Sequence, residues 1–371
     1  MEGIRQISPH LSRFGVETTV VCLDPPESPW LHGQPFQAIG LGPSFSGYGY
    51  IKGLPSSIHQ LAIEHDVVII HGLWQYHSLA TWRALHGTDI PYFVYPHGML
   101  DPWFKRTYPL KHLKKCIYWP WSDFRVLRDA SAVFFTTEQE RLLARQSFKL
   151  YQVNECVVGY GTSSAPSTRD VDSDLFLSHF PQLRGKRLLL FLGRIHPKKG
   201  IDLLIQAFSD VAPNDPSLHL VIAGPDQIGL QNSLEKLAVS LSVEHRTTWT
   251  GMLHDDLKWS AYRASELFCL PSHQENFGIS VAEALACGLP VVLADPVNIS
   301  IEVARAGAGL VHLPNKQSTT EALSRWLSMP QSDRELMAKH AYQLFASNFD
   351  LASVSCQLFH RIQKLLPPRS A

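Results

Sequence analysis

The densest cluster of chemistry-bearing residues is PSHQENFGISVAEALACGLPVV, residues 271–292. An apolar run ending at Pro271 predicts a strand, and the loop after it carries Glu275. A helix is predicted from near Gly278 to just before Gly288. Glycine suits the left-handed position past a helix end, and Pro290 blocks continuation. The first turn would offer the N–H groups of Phe277, Gly278 and Ile279 to an anion or to sugar hydroxyls, and Gly278 lets a ligand approach closely. Glu283 follows roughly 7–8 Å along the axis. Two carboxylates flanking a donor-rich helix start suit a ligand with a phosphate in the middle and hydroxyls at both ends. The competing reading is a pair of solvated surface glutamates.

LLLFLGRIHPKKG, residues 188–200, repeats the strand–loop–helix plan with cations. A buried strand ends at Gly193; Arg194, His196, Lys198 and Lys199 follow, and a helix starts near Gly200. Cations beside a helix N-terminus at a strand's carboxyl end suit a diphosphate, with arginine as a fork and lysine as a point charge. A solvated basic loop is the alternative, and His196 reads as an ordinary loop histidine. In YFVYPHGMLDPW, residues 92–103, a strand delivers His97, where an imidazole could orient a substrate or move a proton. HGLW places His71 and Gly72 at another strand end. Between Asp101 and Arg128, seven cations face two carboxylates, interleaved with Trp103, Phe104, Tyr108, Tyr118, Trp119 and Trp121. That mixture suits peripheral contact with an anionic membrane through 101–128, or else a helix with a solvated basic face and an aromatic core face.

The elements that position these residues are short apolar runs alternating with amphipathic stretches. Strands are predicted at 18–23, 66–71, 92–96 and 132–136, then at 188–192, 218–223, 247–250, 266–270 and 291–294; helical patterns include 201–211, 230–241 and 255–264. The strands are continuously apolar, as in parallel sheets buried on both faces. A length of 371 residues suits two domains. Residues 161–174, rich in Ser, Thr, Pro and Asp, read as the linker. The expected division is 1–165, 166–348, and a C-terminal helix at 349–371 returning to the N-terminal domain. Two open α/β domains would bind a ligand at the carboxyl ends of their strands, in a cleft between them. The chain opens on a helix-like stretch, 4–14, interrupted by Pro9, with no strand before Gly3; the expectation is an unusual domain or a late start.

Composition narrows the classes. Thirty-three basic residues balance thirty-three acidic ones, which argues against a general nucleic-acid binder. The six cysteines are dispersed with no CxxC, against a structural zinc or a disulfide framework and in keeping with a reducing cytoplasm. No apolar run is long enough to span a membrane. In a cytoplasmic protein the Asn298-Ile299-Ser300 sequon carries no meaning.

GRIHPKKG followed by ENFGISVAE, a Glu-x7-Glu pattern, resembles the large retaining glycosyltransferase family 4, which includes many bacterial polysaccharide and lipopolysaccharide enzymes. The resemblance covers nearly the whole chain, is strongest over 186–295 and is good at HGLW and PHGMLDPW. It implies the GT-B fold, an α/β architecture of two Rossmann-like domains facing across a cleft, here with the first N-terminal strand missing. It implies that Arg194 and Lys199, after Gly193, hold a donor diphosphate. Glu283 would hold ribose hydroxyls, and Glu275 would lie near the donor sugar and the reacting centre. The backbone of Asn276, Phe277, Gly278 and Ile279 would contact sugar and phosphate, His97 the transferred sugar, and Gly224 with Pro225 the nucleotide pocket. Two departures from the family pattern are the absent opening Gly-rich turn, of which only Gly3 could remain, and VVGYGTS where a Pro-Asn-Gly turn is usual. The implied activity is retaining transfer from a nucleoside diphosphate sugar to a saccharide or lipid-linked acceptor, in surface polysaccharide or glycolipid synthesis. No cofactor is expected. An Asp-x-Asp pattern occurs only in the linker (Asp170, Asp172, Asp174), so metal independence is expected. A GT-B epimerase, a phosphorylase and a non-catalytic nucleotide-sugar binding protein remain open alternatives.

Overall fold

The computed structural model describes residues 2–169 and 171–366, and these form two units. The first comprises the chain through Tyr160 together with residues from Val354 onward; the second runs from Gly161 to Ser353.

In the first unit the elements are α1 (Glu2–Ser12), β1 (Thr19–Cys22), β2 (Gln37–Gly40), α2 (Leu54–Ala62), β3 (Val68–His71), α3 (Tyr76–Leu85), β4 (Tyr92–Tyr95), α4 (Trp103–Thr107), α5 (Pro109–Tyr118), α6 (Asp123–Arg128), β5 (Ala132–Phe135), α7 (Glu138–Ala144) and β6 (Glu155–Val157). β3, β4, β5 and β6 form a parallel sheet in that order, while β1 and β2 pair separately. YFVY and AVFF, the central strands, are buried at every position, which explains their unbroken apolar character. α1 runs through Pro9 without interruption. The ring removes one backbone hydrogen bond, but Ile7 and Leu11 pack against the cluster of Phe93, Tyr95 and Phe134, and that burial holds the helix.

The second unit contains α8 (Asp174–His179), β7 (Arg187–Leu192), α9 (Ile201–Val211), β8 (Leu218–Ala223), α10 (Gln231–Ser240), β9 (Thr247–Gly251), α11 (Asp255–Ala264), β10 (Leu267–Leu270), α12 (Ile279–Ala286), β11 (Val291–Ala294), α13 (Ser300–Ala306), β12 (Gly309–His312), α14 (Lys316–Ser328) and α15 (Gln331–Leu344). Its strands form one parallel sheet ordered β12-β11-β10-β7-β8-β9. The chain runs outward from β7 through β8 to β9, then returns to β7's other side at β10. That reversal is a topological switch point, where open α/β sheets leave a crevice beyond the strand ends. The loops bordering it are those following β7 and β10.

α16 (Leu351–Leu365) begins in the second unit, and Leu358, Ile362 and Leu365 pack on the first unit's sheet. Phe359 stacks on Phe14 at 4.9 Å. The segment expected to be a linker is instead fastened to the second unit. Thr162 donates to the Phe349 carbonyl at 3.0 Å, Ser164 donates to Asp350 at 2.6 Å, and Val171 is buried. The Arg263 guanidinium donates to the carbonyls of Pro166, Ser167 and Val171. A polar composition concealed this order because the strap is held by hydrogen bonds and one arginine rather than by an apolar face.

Candidate active site

At the switch point of the second unit, two glycines let the strand ends close. A Cβ on Gly224, whose φ is +148°, would stand 1.8 Å from the Gly193 carbonyl oxygen. Gly193 donates to Ala223 O at 2.9 Å and Ile195 to Pro225 O at 3.0 Å, so the ends of β7 and β8 are stitched together. Arg194 leaves that junction exposed to solvent and without an ion pair among the described residues. His196 turns back to accept the Lys198 N–H at 3.1 Å, a structural role. Gly200, at φ +64°, caps α9, and its absent Cβ would lie 2.2 Å from the Pro271 carbonyl oxygen. This close approach, with His273 N–H on Lys198 O at 2.8 Å, joins the loops after β7 and β10.

Lys199 consequently meets Glu275 in a half-buried ion pair. The Glu275 backbone is fixed to the loop after β11, donating to Pro296 O and accepting from Asn298 N–H, each at 3.1 Å. Gly278, left-handed at φ +84°, opens α12 at the carboxyl end of the sheet. Asn298 reaches Asn276 Oδ1 at 3.5 Å. The Phe277 ring packs edge-on against Phe349 at 5.5 Å, so its side chain belongs to the core. Ile279 is half exposed on the first turn.

Glu283 is 5% exposed and already partnered. Lys258 donates to Oε1 at 2.6 Å and the Tyr262 hydroxyl to Oε2 at 2.9 Å. Burial first, then the Glu283 charge, holds the Tyr262 phenol well above its ordinary range, so it remains a donor. Sequence reading missed Lys258 and Tyr262. Their i, i+4 spacing on a predicted helix put them on one face, but nothing local pointed to a glutamate more than twenty residues later.

In the first unit, His97 follows β4 at φ +50°, an uncommon conformation for a non-glycine residue. The turn is held by Glu140, which accepts from Gly98 N–H at 2.5 Å and from the backbone and hydroxyl of Thr136 at 2.7 and 2.6 Å. Thr137-x-x-Glu140 is legible as a helix start, and Thr137 does cap α7; that Glu140 serves the His97 turn is a tertiary fact. His97 Nε2 lies 2.9 Å from His71 Nδ1, and both rings stack with Tyr95. Burial pushes the His97 imidazole down to about 4, and desolvation together with His97 pushes His71 down to about 3. Both are neutral at pH 7, suited to hydrogen bonding rather than to carrying charge.

Among the linker carboxylates, Asp172 accepts from Asp174 N–H at 2.9 Å and Asp174 pairs with Arg184 at 2.7 Å; Asp170 lies outside the described residues. Both carboxylates serve local structure.

Residues 178–344 match the family described as glycosyl transferases group 1, and residues 2–161 match the glycosyl transferase 4-like domain. The chain belongs to the group 1 glycosyltransferases. Its two parallel-sheet units are those of the GT-B fold shared by solved structures of this group. Sucrose-phosphate synthase from Thermosynechococcus elongatus aligns with a TM-score of 0.75 at 18% identity, over 98% of this chain and 92% of that one. Anabaena Alr3699/HepE in complex with UDP-glucose aligns with a TM-score of 0.75 at 18% identity, over 97% and 94%. In sequence, this group 1 chain is 33% identical over 161 residues to D-inositol 3-phosphate glycosyltransferase from Rhodococcus erythropolis (strain PR4 / NBRC 100887), covering 42% of this chain and 36% of the relative. It spans between 25% and 61% of the length of the curated relatives it matches.

Proposed function

We propose that this chain is a retaining glycosyltransferase that moves a sugar from a nucleoside diphosphate sugar to a saccharide or lipid-linked acceptor, in the cytoplasm, in surface polysaccharide or glycolipid synthesis. The observation that carries the reading is the convergence at one switch point of Arg194, the Lys199–Glu275 pair and the N-terminus of α12. As the glycosidic bond breaks, the leaving diphosphate gains negative charge. Fixed cations and oriented backbone N–H groups stabilise that charge without reorganising. In this reading Arg194 forks onto the diphosphate, and phosphate oxygens draw Lys199 away from Glu275, freeing that carboxylate for the donor sugar. Glu283, oriented by Lys258 and Tyr262, accepts ribose hydroxyls on its remaining lone pairs. Gly224 and Pro225 border the nucleotide, and neutral His97 hydrogen-bonds the transferred sugar. The reaction needs no metal. The test is turnover of UDP-, GDP- and ADP-sugars, UDP first because the Anabaena structure holds UDP-glucose. Arg194→Ala and Glu275→Ala should each abolish release of the nucleoside diphosphate, and EDTA should leave it unchanged. Unaltered turnover in both variants sinks the reading.

A further inference from the structure

α5 turns its apolar stripe away from the protein. Its inward face is His112, whose ring lies 4.9 Å from Phe148, and Lys115, whose ammonium sits 4.2 Å over Trp74; buried Trp119 continues that line. At about 100° per residue, Leu110, Leu113 and Ile117 fall on the opposite side, with Lys114 among them and Lys111 at the margin. Their exposures are 78%, 59% and 69%, and Trp121, just beyond the helix, is 69% exposed. Single exposed leucines are ordinary, but four large apolar side chains gathered at one helix are a patch that something covers.

Charge decides what covers it. Lys105, Arg106, Lys111 and Lys114 are exposed around the stripe, and no acidic residue occurs from 102 to 122. A second copy meeting this face about a two-fold axis would set those cations against themselves. An anionic bilayer offers both complements, acyl chains for the stripe and headgroup charge for the ring of cations, and Trp121 suits the interface. We propose that α5, with the start of the turn after it, docks flat on an anionic lipid surface. This proposal stands apart from the transfer chemistry, and its failure leaves the donor assignment untouched.

The experiment is flotation of the whole protein with phosphatidylcholine vesicles, with and without phosphatidylglycerol, at low and high salt. Binding is expected on the anionic vesicles, with weakening by salt. Lys111→Gln/Lys114→Gln should lower affinity about 25-fold, near fivefold per lysine. Leu110→Ser/Leu113→Ser/Ile117→Ser should lower it at least about tenfold. All five side chains are exposed, so the unfolding midpoint should stay at the wild-type value. Failure of the wild type to float on anionic vesicles overturns the proposal. So does binding that neither variant weakens, or a concentration-dependent dimer that the triple substitution dissolves without any vesicle binding.

Discussion

Replacing Lys258 by Met strands a carboxylate. Glu283 is 5% exposed, and its two oxygens are held by Lys258 at 2.6 Å and Tyr262 at 2.9 Å. Removing one member of a buried ion pair costs about 3–5 kcal/mol, because the remaining charge is left without compensation. The Lys258 side chain is 23% exposed, so water can reach the vacated position and the expected cost falls to about 2–3 kcal/mol. For a domain of this size, that lowers the midpoint by roughly 5–10 °C. Lys258→Met/Glu283→Leu removes both charges, and Tyr262 retains the Ser280 carbonyl at 3.1 Å as an acceptor. The double variant should therefore recover most of the loss, with a coupling energy above about 1.5 kcal/mol. Calorimetric unfolding of the four proteins closes the cycle. Additive losses would refute the claim that Lys258 and Glu283 act as a unit.

Gly224→Ala places a methyl against the Gly193 carbonyl and should destabilise by about 2–4 kcal/mol while raising the donor KM, measured by urea unfolding and steady-state kinetics. Because burial depresses His97 to about 4, the unfolded chain binds a proton that the folded chain refuses. Its contribution is complete above about pH 6.5 and is lost as pH falls toward 4; His97→Asn should flatten that acid limb in urea midpoints. Asp123 behaves oppositely. Burial raises its carboxyl to about 6, so its charge costs stability at neutral pH and the cost disappears on acidification. Asp123→Asn should stabilise by about 1–2 kcal/mol at pH 8 and far less at pH 4. Arg263→Ala releases the carbonyls of Pro166, Ser167 and Val171 and should open residues 161–174 to limited proteolysis.

The sheets of this molecule were legible where burial is two-sided. Leu218–Ala223 and Val291–Ala294 match their apolar runs residue for residue. The strands not foreseen, Gln37–Gly40, Glu155–Val157 and Gly309–His312, are short and stand at sheet edges, where one neighbour suffices and polar residues are tolerated. The C-terminal helix return was expected at 349, and Val354 is where residues join the first unit. The five-residue offset at each crossing reflects Thr162 and Ser164 bonding to Phe349 and Asp350. In the site, glycines and charged residues next to strand ends announced themselves. Their partners did not: Lys258, Tyr262 and Glu140 reach their targets through the fold, at separations no local pattern encodes. The basic and aromatic stretch was ambiguous from sequence: Trp119 and Phe124 join the core, whereas α5 turns the half-buried His112 and Lys115 inward and exposes its leucines and Ile117.

The most direct test of the proposed donor site is calorimetric titration of UDP, GDP and ADP into the wild-type protein and into Arg194→Ala and Lys199→Ala. The arrangement at the ends of β7 and β10 predicts saturable binding of one nucleoside diphosphate and a loss of at least about tenfold in each variant, as for a charge-assisted contact. Wild-type affinity in both variants, or no binding of any nucleoside diphosphate to the wild type, would contradict it.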